Sequence, residues 1–258
     1  MKEKSNKQDN AILRHIQRIP FVSGFRRDVE TFGFSKSFYN FSLKAINRFV
    51  FFKILICVFI DVADPRYMGD ENKYRYNFLG SDTLMDFAKD KDNGLSLSFV
   101  HEALEKGDEC YGILDGNSMA SFGWYSNKPT FVSFGPAEND KESLWLQFAA
   151  DYIYMYNGYT PKNYRGQRLH AIGMTRALKA YLDRGYKGLV SYVESNNFAS
   201  LNSCYRMGYK DLGKIYILKI FGKHFIAHSK SCRQYEFRLV TYARTENEIE
   251  QHCSPQAR

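Results

Sequence analysis

Apolar positions along this chain of 258 residues change their spacing several times, and each change marks an element. The polar start gives way to mixed apolar and basic residues, with a helix predicted near Ser37–Arg48. A run rich in β-branched and aromatic residues at 49–63 reads as a strand, which Pro65 ends before the polar link Asp70–Asn72. Residues 74–79 (YRYNFL) read as a short strand. Ser81 is a plausible cap for a helix carrying Leu84, Met85, Phe87 and Ala88 on its apolar side. A second helical pattern at 95–107 stops at Gly107. CYGIL and MASFGWYS flank Asp115-Gly116-Asn117-Ser118, the pattern of a β-hairpin, and TFVSFG at 130–135 pairs onward. Residues 136–143 form a polar loop. Tyr152, Tyr154 and Tyr156 then alternate along a strand at 151–160 and share one face.

The second half is more regular. Leu169, Ile172, Leu178, Tyr181 and Leu182 make the apolar stripe of a helix that Arg184-Gly185 stops. GLVSYVES at 188–195 is the continuous apolar run of a strand covered on both faces. A helix follows at 198–207, where Gly208 suits a left-handed cap. A hairpin turns at Gly222-Lys223, and 235–242 is a last strand. The predicted succession is β-α-α-β-β-β-α-β-α-β-β, an α/β chain in the α+β sense.

Charge sharpens the division into parts. Residues 1–53 hold 11 Lys/Arg and 4 Asp/Glu, so nearly all of the net charge of +8 lies there. That front segment is either a solvated arm or a surface for an acidic partner such as anionic lipid, with nucleic acid less favoured because no nucleic-acid motif accompanies it. Five cysteines, with no Cys-x-x-Cys, argue against a disulfide framework or zinc cluster and for a reducing cytoplasm. The first ten residues lack the apolar core of a signal peptide. The 12-residue run at 49–60 falls short of the roughly 20 apolar residues that a bilayer span needs. It is either a buried strand or an interfacial segment, so the expected location is cytoplasmic or peripheral at the inner membrane face.

Two motifs carry the chemistry. The first is Arg165-Gly166-Gln167-Arg168-Leu169-His170 at a strand-to-helix turn, where backbone N–H groups and the helix dipole suit a phosphate. The second is Asn197-x-x-Ser200, followed by Cys204-Tyr205-Arg206-Met207-Gly208-Tyr209. In this order, with a strand between, they resemble the acyl-CoA half of the GNAT superfamily of N-acyltransferases. The resemblance covers residues 73–242 and is strongest at 151–209. It implies a GNAT-like mixed, mostly antiparallel sheet flanked by helices, with a central V-shaped splay. It also implies a basic aromatic extension at 1–66, an acyltransferase domain at 67–245 and a polar tail at 246–258.

The resemblance further implies acetyl-CoA or another acyl-CoA as cosubstrate. Tyr159, Thr160, Arg165, Gly166, Gln167, Arg168, Leu169, His170 and Ala171 would hold its pyrophosphate side, and Asn197 and Ser200 its pantetheine arm. The superfamily turn runs Arg/Gln-x-x-Gly-x-Gly/Ala. Here Arg168 and His170 stand at the glycine positions, and one extra residue follows Pro161. His170 is read as facing phosphate or solvent. The tyrosine that often protonates the departing thiolate lies seven residues after the Asn in relatives. That place is Cys204 here, with Tyr205 one residue on, so either serves as the acid or neither does. Cys204 reads more readily as a small core residue.

Attack on a thioester needs a neutral amine, so a base is required. Glu194, at the end of the strand before Asn197, is the first candidate. Its alternative is an edge carboxylate pairing a surface cation. Asp151 is a poorer candidate, and Tyr154, Tyr156 and Tyr159 are placed to orient a water. A backbone N–H near Asn157–Tyr159 would polarise the thioester carbonyl. Phe122–Ser126 either lines an acceptor pocket or, for Trp124 above all, fills the core. His224 and His228 lack acidic or cysteine neighbours and do not read as a metal site. The acceptor would be an amine on a small molecule or a protein, and oligomeric state is not legible.

Overall fold

A computed structural model describes residues 20–132, 134 and 142–243. The predicted polar start and tail, and most of the predicted loop at 136–143, lie outside these residues. Seven α-helices are described: α1 (Pro20–Phe32), α2 (Phe34–Ile46), α3 (Ser81–Phe87), α4 (Leu97–Lys106), α5 (Leu169–Asp183), α6 (Phe198–Arg206) and α7 (Lys230–Gln234). The strands are β1 (Phe51–Ile60), β2 (Arg75–Phe78), β3 (Glu109–Asp115), β4 (Ser118–Ser126), β5 (Thr130–Val132) and β6 (Glu142–Gln147). The rest are β7 (Tyr152–Tyr159), β8 (Gly188–Glu194), β9 (Lys210–Ile220), β10 (Lys223–His228) and β11 (Arg238–Ala243).

Eight strands form one sheet in the order β10-β9-β1-β8-β7-β4-β3-β2, and β11-β6-β5 form a second. All pairings are antiparallel except β7 with β8. On one face α5 and α6 bury Ile153, Met155, Leu189 and Met174. On the other, the small sheet and α7 close over Leu55, Val190, Ile215 and Phe237. The end of the same sheet is sealed by α3 and α4 through Leu84, Val100 and Trp124. This is the architecture that the resemblance implies: a mixed, mostly antiparallel sheet between helices, split at the parallel pair β7–β8.

The largest correction concerns the front of the chain. The sequence pattern predicts residues 1–66 as an extension outside the domain, yet β1 lies at the centre of the main sheet. It pairs antiparallel with β8, Ile60 opposite Leu189, and with β9, Phe51 opposite Lys219. Leu55, Cys57 and Val58 are fully buried. A run apolar on both faces needs neighbours on both edges and covers on both sides, and here both edge strands, β8 and β9, come from the last third of the chain. Gly188 opens β8 so close to β1 that a Cβ there would sit 2.3 Å from the Ile60 carbonyl oxygen.

Two further differences are local. Residues 142–147, split by the sequence pattern between a loop and an unassigned stretch, form β6, which joins β5 to β11. Arg238–Ala243 therefore belongs to the small sheet and not to the main one. No helix among the described residues is long and apolar enough to cross a membrane.

Candidate functional site

The site begins where β7 and β8 part. Their ladder runs only from Tyr152–Gly188 to Tyr154–Val190. Beyond it the Ser191 hydroxyl donates to the Met155 carbonyl at 2.9 Å and side chains take over from the ladder. The divergence has a cause on the other edge of β7. Phe122 pairs with Tyr159 and Trp124 with Tyr156, so two β7 residues, Asn157 and Gly158, face one residue of β4. This is a β-bulge, and Asn157 takes a positive φ of 44° within it. The expected exposed backbone near Asn157–Tyr159 is thus irregular, with its ladder interrupted at the mouth of the splay.

Beside the bulge stands the turn into α5. Gly166 has φ 83°, and Arg168, the residue before the helix, has φ 60°. No side chain caps α5, and no acidic residue occupies its first turn. The first helical bond runs from the Ile172 N–H to the Arg168 carbonyl. The N–H groups from Gly166 to Ala171 therefore find no acceptor among the described residues. Arg165, Gly166, Gln167 and Arg168 are exposed around them, and Leu169 is buried as the anchor. Uncapped donors, a helix dipole and two arginines form a cradle with the chemistry of a phosphate site.

Several contacts hold the cradle. The Gln167 side-chain oxygen accepts from the Tyr74 hydroxyl at 2.7 Å and from Lys73 Nζ at 3.3 Å. Arg165 Nε donates to the Thr160 carbonyl at 3.1 Å, and the Ser121 and Thr160 hydroxyls meet at 2.9 Å. Thr160 and Gln167 thus act on the turn from behind. Arg168 in the left-handed region carries a strain that glycine would not.

His170 faces neither phosphate nor open solvent. Its ring packs on the bulge, so closely that a Cβ at Gly158 would lie 2.2 Å from its Cε1. The residue is partly exposed as a whole, but the ring is enclosed, and burial lowers its pKa to about 4. The imidazole is therefore neutral and fills space at the base of the splay, where the superfamily pattern has a small residue.

On the far side of the gap α6 starts at Asn197, whose side-chain oxygen accepts the Ser200 N–H at 3.2 Å. Asn197 is exposed and Ser200 half-buried at the helix start. Cys204 packs against the core formed with α5, and burial pushes its pKa up to about 11. Tyr205 points outward. It is 44% exposed, and its hydroxyl donates to Asp211 Oδ1 at 2.7 Å on the outer flank of α6. One residue turns a helix by about 100°, and that rotation takes the Tyr205 ring off the side where Cys204 sits.

The opposite face of the splay opens into a cleft of about 330 Å³. One wall is a run of tyrosines: Tyr154 stacks on Tyr156 at 5.5 Å and on Tyr192 at 6.0 Å. Phe99, Glu102 and Lys106 of α4 and Phe131 of β5 complete it, and Asn157 of the bulge reaches its floor. The Tyr156 hydroxyl donates to Asp108 Oδ2 at 2.6 Å. Asp108 is only 5% exposed, so it meets the cleft through Tyr156. Burial and the neighbouring carboxylate together raise the Tyr156 pKa far above its ordinary value. The sequence pattern names Tyr156 but not Asp108. The available signal was a carboxylate between the helix stop Gly107 and the strand that carries the buried run Cys110–Leu114, where a charge must find a partner.

Glu194 does not line this cleft. Both its oxygens accept from Lys53 Nζ at 2.8 Å, and the pair lies in a separate cavity of about 170 Å³ with Leu43 and Asn47. The edge-pairing alternative describes it. Asp151 is likewise taken up by Lys187. Trp124 is fully buried against Phe99 and belongs to the core. His228 Nε2 accepts the Leu239 N–H at 2.9 Å and ties β10 to β11.

No protein-family model and no curated protein match the chain. Solved structures do. A Novosphingobium aromaticivorans protein assigned to the GNAT-family acetyltransferases is 14% identical, with TM-score 0.42 over 70% of this chain and 67% of its own. A GNAT-family acetyltransferase from Colwellia psychrerythraea is 13% identical, with TM-score 0.40 over 73% of this chain and 57% of its own. A GCN5-related N-acetyltransferase-like protein from Streptococcus suis is 14% identical, with TM-score 0.41 over 73% of this chain and 68% of its own. The chain therefore spans only about three fifths to two thirds of the length of these structures.

Proposed function

We propose that this chain is an acyl-CoA-dependent N-acyltransferase that transfers an acetyl or longer acyl group to an amine within a ternary complex. The observation that carries this reading is the splayed, bulged β7–β8 pair, with an uncapped helix start on one face and a tyrosine-walled cleft on the other. Phosphates of the acyl-CoA would sit on the N–H groups of Gly166–Ala171, with Arg165 and Arg168 at hand. Its pantetheine arm would pass between β7 and β8 beside Asn197 and Ser200. The thioester would then lie at the bulge, where a freed backbone N–H stabilises the developing oxyanion.

The amine would enter from the tyrosine cleft. We assign its proton to Tyr156 and Asp108: the hydroxyl takes a proton from the attacking nitrogen as it passes its own to the carboxylate. Glu194 is the poorer candidate, because Lys53 engages both of its oxygens and the pair lies outside the cleft. Burial pushes the Cys204 pKa up to about 11, which makes it a poor acid, and Tyr205 faces away, so the departing thiolate would draw its proton from water.

A second reading, an acyl-CoA sensor without turnover, is favoured by Arg168 and His170 at the glycine positions of the cradle. A thiol-release assay over an acyl-CoA panel against pooled small-molecule and peptide amines separates the two. Amine-dependent release supports transfer. Tight acyl-CoA binding with no amine-dependent release supports the sensor.

A further inference from the structure

The β9–β10 turn holds a residue that folding does not ask for. Phe221 and Gly222 take φ 49° and 76°, both in the left-handed region. Two-residue hairpins of this geometry favour Asn-Gly, and a bulky residue at positive φ carries strain. Phe221 gains nothing in return, because its side chain is 100% exposed. The ring is both costly to the turn and unused by the core.

Phe221 is not alone at that corner. Phe51 pairs with Lys219, so the start of β1 lies at the same end of the sheet as the turn. Just before it, Phe49 is 86% exposed. Phe225 on the edge strand β10 is 58% exposed. Leading to Phe49 along α2, Phe34, Phe38 and Ile46 are 66%, 54% and 42% exposed, spaced by four and eight residues so that they follow one helix side. An apolar stripe thus runs down α2 and ends at two protruding phenylalanines.

The segments that form the corner carry charge of one sign, with Asp28 of α1 beside Asn40 and Glu194 paired to Lys53 as acidic neighbours. Residues 34–60 contain four Lys/Arg and residues 212–235 contain five, and neither stretch contains an Asp or Glu. Lys44, Arg48 and Lys223 flank the two protruding rings and are exposed. Apolar side chains that stand out from a cationic rim match the layered chemistry of an anionic bilayer, with acyl chains inside and negative headgroups outside.

We propose that the corner made by α2, the start of β1 and the β9–β10 hairpin docks on anionic lipid, inserting Phe49 and Phe221 while Lys44, Arg48 and Lys223 meet headgroups. A single-stranded nucleic acid would pair with the cations and stack bases on the rings, so an oligonucleotide is the competing ligand in the test, and the apolar stripe along α2 is what favours lipid. The two surfaces respond differently to substitution.

The test is co-sedimentation of the full chain with vesicles of phosphatidylcholine alone and with roughly 30% phosphatidylglycerol. Wild type should bind the mixed vesicles, bind phosphatidylcholine weakly, and release as salt rises. Phe49→Ser with Phe221→Asn should weaken binding by tenfold or more. Lys44→Ala, Arg48→Ala and Lys223→Ala should each weaken it about fivefold. Phe221→Asn suits the turn, so its melting temperature should equal or exceed wild type, which separates lost docking from lost folding. Absence of wild-type binding to the mixed vesicles would overturn the proposal. So would unchanged binding by the double phenylalanine variant, or binding to an oligonucleotide in place of vesicles.

Discussion

His170 offers a measurable link between the packing of the splay and solution pH. Burial lowers its pKa from 6.5 to about 4. A group depressed in the folded state binds its proton more readily when unfolded. Stability is therefore complete above pH 6.5 and is lost as pH falls through about 4. At about 1.4 kcal/mol per pH unit, that displacement corresponds to about 3.5 kcal/mol at most. The residue keeps some exposure, which reduces the expected loss to about 2 kcal/mol. The perturbation is His170→Phe, which keeps a flat ring against Gly158 and removes the titration.

Urea unfolding followed at a series of pH values gives the two stability curves. His228 contributes with the same sign, since burial also lowers its pKa and protonation would break its bond to the Leu239 N–H. That contribution is common to both proteins and cancels in the difference. Wild type should lose about 2 kcal/mol more than His170→Phe between neutral pH and about pH 4. Parallel curves would mean that the imidazole is solvated, and would refute its placement on the bulge. Affinity for coenzyme A should fall in wild type over the same window, because a charged ring cannot stay in the base of the splay.

Gly166→Pro should weaken coenzyme A binding by more than tenfold in calorimetry, because proline cannot adopt φ 83° and carries no N–H. Arg168→Ala should do less, since only a side-chain contact goes. Asp108→Asn should lower kcat by about 10²–10⁴ with little change in KM for acyl-CoA, while Glu194→Gln leaves kcat nearly intact; the reverse pattern would return the base to Glu194. Gly188→Ala should destabilise the fold by about 2 kcal/mol in chemical denaturation, because its Cβ would press on the Ile60 carbonyl oxygen at 2.3 Å.

What the sequence shows of this molecule follows from how local the cause is. The α5 and α6 patterns, the β8 run and the tyrosine alternation of β7 are each set by neighbours within a few residues, and all four form where predicted. The place of β1 depends on β8 and β9, whose residues lie far along the chain, and periodicity carries no partner. The site divides in the same way. The Gly166 turn and the Asn197 cap are local devices and are legible. The Tyr156–Asp108 bond joins residues 48 apart, and the His170–Gly158 contact depends on a bulge that exists only because β4 and β7 differ by one residue. Tyr205 was one helical step from a useful place, and the rotation per residue decided against it.

The central position of β1 also changes what the basic front can be. Among the described residues, Lys36, Lys44, Arg48 and Lys53 are carried by α2, the turn after it and the start of β1, which are part of the fold and not an arm outside it. The Tyr39 hydroxyl of α2 meets the Ser195 hydroxyl at 2.8 Å, and Asn196 Nδ2 donates to Asn40 Oδ1 at 3.1 Å. Lys53 holds Glu194, and Phe198 at the start of α6 packs on Phe32 and Tyr39. These contacts bracket Asn197, the residue proposed to meet the pantetheine arm. Removing residues 1–66 would take a central strand and leave β8 and β9 with open edges, so that truncation tests folding and not lipid binding. The same contacts give a force on α2 a direct path to the start of α6. Docking of the α2 corner on a bilayer would then stiffen one wall of the splay, through side chains that touch neither the phosphate cradle nor the tyrosine cleft.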